Sequence, residues 1–501
     1  MVAQIVSFVI NLLINFILTP YVTAKVGKNV YGFVNMAFQT TSYVTIFTAA
    51  LNTMVGRYIT INLSKKDYKS ANTYFSSVIV ANALVSAVLI LPSVAGVLFV
   101  DRWLDVPVEH VADVRILFGF IFAAFLCSLV TQFYGVSTYA VNRLDLSAKR
   151  TIENNFLKAL LLAGCFMMLS PKVWYIGLAN FVCGFYTIIT NVYYTKKLTP
   201  QLKFQRALVK FSAIKELISV GIWNSVLQLS NTLINGCDML ISNWFVSAAG
   251  MTLMGFAKTV PTYVISMISL VAGSFAPQMT LVYGKGDMEE FVKKTQSAIK
   301  VCGFLCSVPI LGFLAFGTEF FELWLYSLNS GEIHTVQVLS IMILLQTVFD
   351  VYIYPLYTVN SITCRLKVPV LVSLGIGVAN IVGSVLLCAY TSLGVYAIQI
   401  VSSVLLTLRV FFFAPIYAAH ILEQKWYTFY QPLLRGVAAS VICLVLFLGY
   451  RNLVQIDSWL KFIVCMIPCA IVGYAVNYVV VLNGEERNLI KNKVLDKIGK
   501  R

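Results

Sequence analysis

Residues 224–242 read NSVLQLSNTLINGCDMLIS, and after a short apolar interval residues 250–256 read GMTLMGF. In the first stretch Asn224, Gln228, Asn231, Asn235, Asp238 and Ser242 follow at steps of four, three, four, three and four, which gathers them on one face of a helix. The same order occurs at the start of the chain. There Gln4, Ser7, Asn11, Asn15 and Thr19 lie along QIVSFVINLLINFILT (4–19), followed by GKNVYGF (27–33). Each copy joins an amide-striped apolar segment to glycine, four residues, glycine and phenylalanine. A helix in lipid carries such a stripe only where that face meets protein or water, so the duplication points to a membrane transporter with a wet cavity.

Composition sets the same frame. With 59% hydrophobic residues, 12% charged residues and a mean hydropathy of +0.82, the chain belongs to the polytopic membrane class. Its longest polar interruption, 196–216, is too short to bury a core of its own. The net charge of +16 falls in particular loops rather than on one nucleic-acid-binding face, so no nucleic-acid partner is expected. Of eleven cysteines all but Cys364 lie in apolar spans. Cys302 with Cys306 and Cys465 with Cys469 are one helical turn apart, which suits packing rather than zinc or a redox pair. His110, His334 and His420 share no metal-ligand spacing with cysteine or carboxylate, and no metal or cofactor is expected.

Counting segments of roughly twenty apolar residues gives about fourteen transmembrane helices. They include 2–24, 31–55, 116–140, 153–170, 217–246 and 252–281. The fold expected is all-α and polytopic: an N-terminal six-helix lobe (1–195), a cytoplasmic linker (196–216), a C-terminal six-helix lobe (217–418), two extra helices (436–482) and a basic tail (483–501). Six spans precede the second stripe, so the copies enter the membrane in the same direction as parallel repeats. Most of the 37 Lys and Arg residues fall on one side, in the loops around Lys65, Arg143, Lys196–Lys215, Lys285–Lys300, Arg365, Lys425 and the tail; that side is cytoplasmic, with both termini inside. The tail reads as solvated, or as a short amphipathic helix on anionic lipid.

Charged residues inside spans are candidates for function. Asp238 and Lys258, on neighbouring spans, suit a structural ion pair or an ion-coupling site. Asp350 and Arg409, mid-span, suit a pair, or a coupling carboxylate and a phosphate-binding fork. Lys158 reads as a cation whose stem snorkels toward the cytoplasmic face. Lys25 and Arg57 sit at opposite mouths of the first half, where an anionic substrate would want a cation. Gln4, Asn11, Asn15, Asn224, Gln228, Asn231 and Asn235 line the expected cavity, since carboxamides both donate to and accept from sugar hydroxyls. Pro20, Pro261, Pro277 and Pro355 permit bends.

The six, six and two arrangement, the opening LTPYVTAKVGKNVYGF, Arg57 closing the second span, and MGFAKTV followed by SFAPQM together resemble the bacterial polysaccharide transporter family. These are the flippases for O-antigen and capsule repeat units, in the superfamily that also holds lipid II flippases and multidrug and toxin extrusion antiporters. The resemblance implies a V-shaped pair of six-helix bundles in the bacterial cytoplasmic membrane. It implies carriage of an undecaprenyl-pyrophosphate-linked oligosaccharide from inner to outer leaflet, without bond making or breaking, by alternating access. Partners would be the lipid-linked substrate, membrane lipids, and a polysaccharide polymerase or glycosyltransferases; H+ or Na+ coupling is open. Family members usually carry arginine just before the first glycine of the loop, where this chain has Lys25. Two other readings stand beside this one: a cation-coupled drug or metabolite antiporter, kept open by Asp238 and Asp350, and a membrane glycosyltransferase using Asp101, Asp105, Glu109 or Asp113. The last is the weakest, because those acids step by four along a short loop and read as a solvated face.

Overall fold

A computed structural model describes residues 2–141, 143–363, 365–484 and 487. The basic tail expected at 483–501 therefore falls mostly outside the described residues, and for Gln4 only the backbone is described. The long helices are α1 Val2–Val26, α2 Lys28–Ser64, α3 Tyr68–Leu98, α4 Val111–Thr131, α5 Leu144–Met168, α6 Trp174–Leu198 and α7 Phe211–Asn235, followed by α8 Ala248–Gly273 and α9 Met288–Trp324. They continue as α10 Ser330–Ile362, α11 Lys367–Tyr390, α12 Val395–Leu408, α13 Tyr430–Arg451 and α14 Trp459–Val480. Among the described residues there is no strand.

Twelve helices, counting short continuations with their parents, are long and apolar enough to cross a membrane. The two further spans read from sequence, α2 and α5, form as helices of 37 and 25 residues but fall short in hydropathy. The reason lies in what surrounds them. α2 packs against α1, α3, α4 and α7, and α5 packs against α1 and α6, so their polar residues meet protein on several sides.

Several spans break where one helix was expected. The stretch 217–246 is two helices, because α7 ends at Asn235 and a separate helix, Asp238–Phe245, begins after Gly236 and Cys237. Asp238 and Ser242 thus leave the helix that carries the other four stripe residues. The stretch 252–281 likewise divides before Pro277, between α8 and Ala276–Gly284. The stretch 116–140 passes from α4 through a 3₁₀ turn, Gln132–Gly135, into Val136–Ala140.

Packing divides the chain into two compact units, Met1–Gly255 with Val370–Val395, and Phe256–Pro369 with Tyr396–Arg501. In the first unit α7 lies along α2. A Cβ on Gly221 would stand 2.0 Å from the carbonyl oxygen of Ala50, so only glycine allows this approach. Next to it Ser225 donates to the Ile46 carbonyl at 2.7 Å and accepts from the Ala50 amide at 3.0 Å, and Tyr43 donates to the Gly236 carbonyl at 2.7 Å. α11 joins the same unit through Asn380, which donates to the Ile234 carbonyl at 2.9 Å.

The glycines of both motif copies lie in this unit, and the copies touch there. A Cβ on Gly32 would meet Thr252 Oγ1 at 2.1 Å and its Cα at 3.1 Å, and a Cβ on Gly255 would meet the Asn35 carboxamide at 2.8 Å. Gly27 has a different role: its φ of 96° turns the chain from α1 into α2, a conformation L side chains rarely adopt. The segment after α6 is fastened to α3. Asn72 donates to the Gln201 carbonyl and accepts from the Lys203 amide, while Ser76 and Ser77 accept from the amides of Gln205 and Lys210.

In the second unit α9 is the axis, packed on α10, α13 and α14. Tyr352 of α10 is fully buried between two glycines. A Cβ on Gly303 or on Gly436 would lie 1.9 or 2.1 Å from its ring, and its hydroxyl donates to the Gly436 carbonyl at 2.9 Å. Cys302, Cys306, Cys443 and Cys469 are buried in the apolar core around α9.

Candidate functional site

The first unit carries a half-open cavity of ≈ 360 Å³ among α2, α4, α5 and α6. Its walls carry four carboxamides, Gln132, Asn154, Asn180 and Asn191, and the hydroxyls of Thr41, Ser128, Thr131 and Thr187. None of its lining residues is charged. Local sequence explains the arrangement: on α6 Asn180, Gly184, Thr187 and Asn191 follow at steps of four, three and four, so one face of that helix forms a wall. Gly184 keeps the wall low beside Ala124, and Gly135 leaves room for Asn191, whose carboxamide would be 3.6 Å from a Cβ there. Asn154 supplies the α5 wall, and its Oδ1 is buried without a hydrogen-bond partner among the described residues. Such a site offers both donors and acceptors, and a polyhydroxylated ligand satisfies both.

The two amide stripes divide their work. Asn15 donates to the carbonyl and the side chain of Asn11 at 2.9 and 2.8 Å, and Asn11 donates to Asn155 of α5 at 3.3 Å, so these residues bind α1 to α5. Gln228 donates to Thr45 of α2 at 3.4 Å, and Asn224 is half-buried. Asn231 and Asn235 are exposed, as are Lys25 at the end of α1 and Arg57 in α2. Asp238 is 2% exposed at the start of its short helix.

In the second unit three residues form a connected group. Tyr357 of α10 donates to Asp350 at 2.9 Å and accepts from Arg409 at 3.2 Å, and the Arg409 guanidinium lies 5.5 Å from the Tyr357 ring centre. Arg409 opens a π-helical turn, Arg409–Phe413, that continues α12, a distortion that frees local carbonyls and recurs at functional positions. The tyrosine hydroxyl spans the gap between the acid and the base that sequence placed at comparable depth. Lys258, in α8, is half-buried. Where α3 leads into α4, Asp101 binds Arg115 at 2.7 Å and Asp113 binds Lys172 at 3.4 Å; the Arg115 guanidinium holds the Asp101 carboxyl below its ordinary range.

A model of the family described as polysaccharide biosynthesis protein matches residues 2–279, more than half of the chain. The chain belongs to the polysaccharide biosynthesis protein family. A relative, the uncharacterized membrane protein EpsK of Bacillus subtilis (strain 168), is 27% identical over 492 residues, 97% of this chain and 96% of EpsK. The fold is similar to that of the lipid II flippase MurJ in an inward closed conformation, with a TM-score of 0.66, 14% identity and coverage of 98% of this chain and 99% of that one. It is also similar to an inward-facing multidrug resistance MATE family transporter of the MOP superfamily, with a TM-score of 0.65, 15% identity, and coverage of 83% and 96%. This polysaccharide biosynthesis protein is therefore a multi-pass membrane protein with a MATE- and MurJ-like helical fold.

Sequence reasoning missed Tyr357 and the α6 wall of the cavity. For the wall a signal was present, the helical spacing of Asn180, Thr187 and Asn191, which matches that of the stripes singled out. For Tyr357 there was none beyond its place seven residues, two turns, after Asp350.

Proposed function

We propose that this member of the polysaccharide biosynthesis protein family is a flippase that moves an undecaprenyl-pyrophosphate-linked oligosaccharide repeat unit from the inner to the outer leaflet of the bacterial cytoplasmic membrane. The observation that carries the reading is the uncharged, amide- and hydroxyl-lined cavity of the first unit, held inside a lipid-embedded bundle. Its chemistry fits neutral sugar rings, and Asn231, Asn235, Lys25 and Arg57 are exposed. Translocation proceeds by alternating access of two six-helix lobes, 1–195 and 217–418, with 436–482 appended and both termini cytoplasmic. Asn224, Asn231 and Asn235 are its sugar-facing residues together with the cavity amides, and Lys25 and Arg57 its pyrophosphate-facing cations. O-antigen or capsule units are the substrate class, and a polymerase or glycosyltransferase is the neighbour that uses the product.

A second reading, a cation-coupled antiporter of the same superfamily, draws on the Asp350–Tyr357–Arg409 group, with Asp238 and Lys258 as further coupling positions. The two readings separate on deletion of the gene. A flippase leaves intact lipid-linked repeat units on the cytoplasmic leaflet; an antiporter leaves normal surface glycan and a drug-sensitive cell; shortened glycans would mean a transferase instead.

A further inference from the structure

We propose that the segment 199–210, which joins α6 to α7, is a strap that docks on the headgroups of anionic phospholipids, with the rings of Phe204 and Phe211 lodged at the edge of the hydrocarbon. The inference goes beyond the flippase reading and holds whichever cargo the protein carries.

The stretch 196–215 places Lys196, Lys197, Lys203, Arg206, Lys210 and Lys215 together with no acid among them. All six are exposed, and among the described residues none forms an ion pair. The acid that follows, Glu216, accepts from Tyr74 of α3 at 2.7 Å. Interleaved with the cations are Phe204, 45% exposed, and Phe211, 79% exposed. Open aromatic rings beside cations suit a membrane interface, where the ring buries and the cation meets phosphate.

Hydrogen bonds hold the segment against α3 rather than leaving it in solvent. Asn72 accepts from the Lys203 amide at 2.8 Å, Ser76 from the Gln205 amide at 2.9 Å and Ser77 from the Lys210 amide at 2.9 Å, while Leu202 is buried. These bonds fix its depth. From Ser77 to the end of α3 at Leu98 the helix climbs 21 residues (98 − 77), about 32 Å, which matches the ~30 Å hydrocarbon core of a bilayer. Leu84, Val88, Leu91, Val94 and Leu98 are exposed apolar residues of that stretch, so it is the part of α3 that meets lipid. Ser77, and with it Lys210 and Phe211, then lies where hydrocarbon gives way to headgroups. The flanking helices agree. On α7 Phe211, Lys215, Ile218 and Ile222 are exposed at steps of four, three and four. On α6 the exposed residues Ile189 and Tyr193 lead to Lys196 and Lys197, and the Lys197 ammonium stands 5.7 Å from the Tyr193 ring centre. Both lipid-facing stripes thus run into the cations of the segment. A basic cluster of this size beside membrane-spanning helices binds anionic lipid.

The test is photo-crosslinking of the full-length protein in nanodiscs of equal parts phosphatidylglycerol and phosphatidylcholine with matched chains. Phe204→p-benzoylphenylalanine and Phe211→p-benzoylphenylalanine are irradiated beside a lipid-facing control away from the segment, Leu91→p-benzoylphenylalanine, and the adducts are identified by mass spectrometry. The expected result is that lipid adducts form at both phenylalanine positions. Among them phosphatidylglycerol should exceed phosphatidylcholine by at least about fivefold, the contribution of one cation at an anionic surface, while the Leu91 position shows no preference. Adding Lys203→Gln, Arg206→Gln and Lys210→Gln together should bring the ratio down to that of the control. Lipid adducts at neither phenylalanine position, a ratio there equal to the control's, or a ratio that the triple variant leaves unchanged overturns the strap. Should the triple variant fail to fold, the comparison of the Phe211 and Leu91 positions in otherwise unaltered protein decides. Irradiation in native membranes that yields a protein adduct at the Phe211 position in place of lipid overturns the lipid assignment in favour of a protein partner.

Discussion

Tyr357 connects an acid and a base inside the second unit, Asp350 and Arg409, through its hydroxyl. Removing that oxygen leaves Asp350 and Arg409 without the group that spans them. Hydrogen bonds to charged groups are worth about 1.5–3 kcal/mol. Tyr357→Phe is therefore expected to lower the melting temperature of the purified protein and to slow transport, with the ring packing retained. A melting curve and export rate equal to wild type would show that the group is idle. At the same scale, Asn231 and Asn235 are exposed amides on a lipid-class chain, and Arg57 an exposed cation. Asn231→Leu with Asn235→Leu should lower surface glycan export by roughly tenfold, the loss of two hydrogen bonds of about 0.7 kcal/mol each, and Arg57→Ala should lower it as well, both at unchanged membrane levels. Quantified surface glycan, normalised to immunoblotted protein, is the measurement.

At the scale of helices, close packing depends on particular glycines. Gly436 and Gly303 face the ring of Tyr352 at distances no Cβ tolerates, and the ring is locked at its hydroxyl as well. Gly436→Ala should cost about 1–3 kcal/mol through overpacking. It should loosen α13 specifically, seen as faster hydrogen exchange in 430–451. Gly32→Val should do similar damage where the two motif copies meet, because the obstacle includes the backbone of Thr252 and not only a movable side chain. The helices themselves were legible because stretches of twenty apolar residues and positive loops are properties of sequence. What each polar face meets was not. A spacing of three and four fixes a face, yet the stripe of Asn11 and Asn15 is used to join α1 to α5, and Gln228 reaches α2, while Asn231 and Asn235 are exposed. The same ambiguity hid the cavity. The amides of α6 obey the rule that singled out α1 and α7, and only the packing of α2, α4 and α5 around them shows that they border a cavity. The break at Gly236 escaped notice because the polar periodicity continues through it to Ser242.

For the whole molecule, a MATE- and MurJ-like helical fold and membership of the polysaccharide biosynthesis protein family set the frame, and orientation and cargo follow as proposals. α2 and α5 are proposed to complete fourteen spans despite their polarity, which places both termini in the cytoplasm. A fluorescent-protein fusion at the C-terminus should then glow, and a periplasmic alkaline phosphatase fusion there should be inactive; the reverse pair would place the C-terminus outside and contradict the orientation. The most direct measurement is made in proteoliposomes. Purified protein is reconstituted with a fluorescent undecaprenyl-pyrophosphate-linked oligosaccharide, and the fraction of sugar open to a membrane-impermeant oxidant is followed over time. A flippase raises that fraction from about half, the share expected for a label in both leaflets, toward all of it, and the combined Asn231→Leu and Asn235→Leu variant does not. A fraction that stays near half with the wild-type protein would contradict lipid-linked oligosaccharide transport.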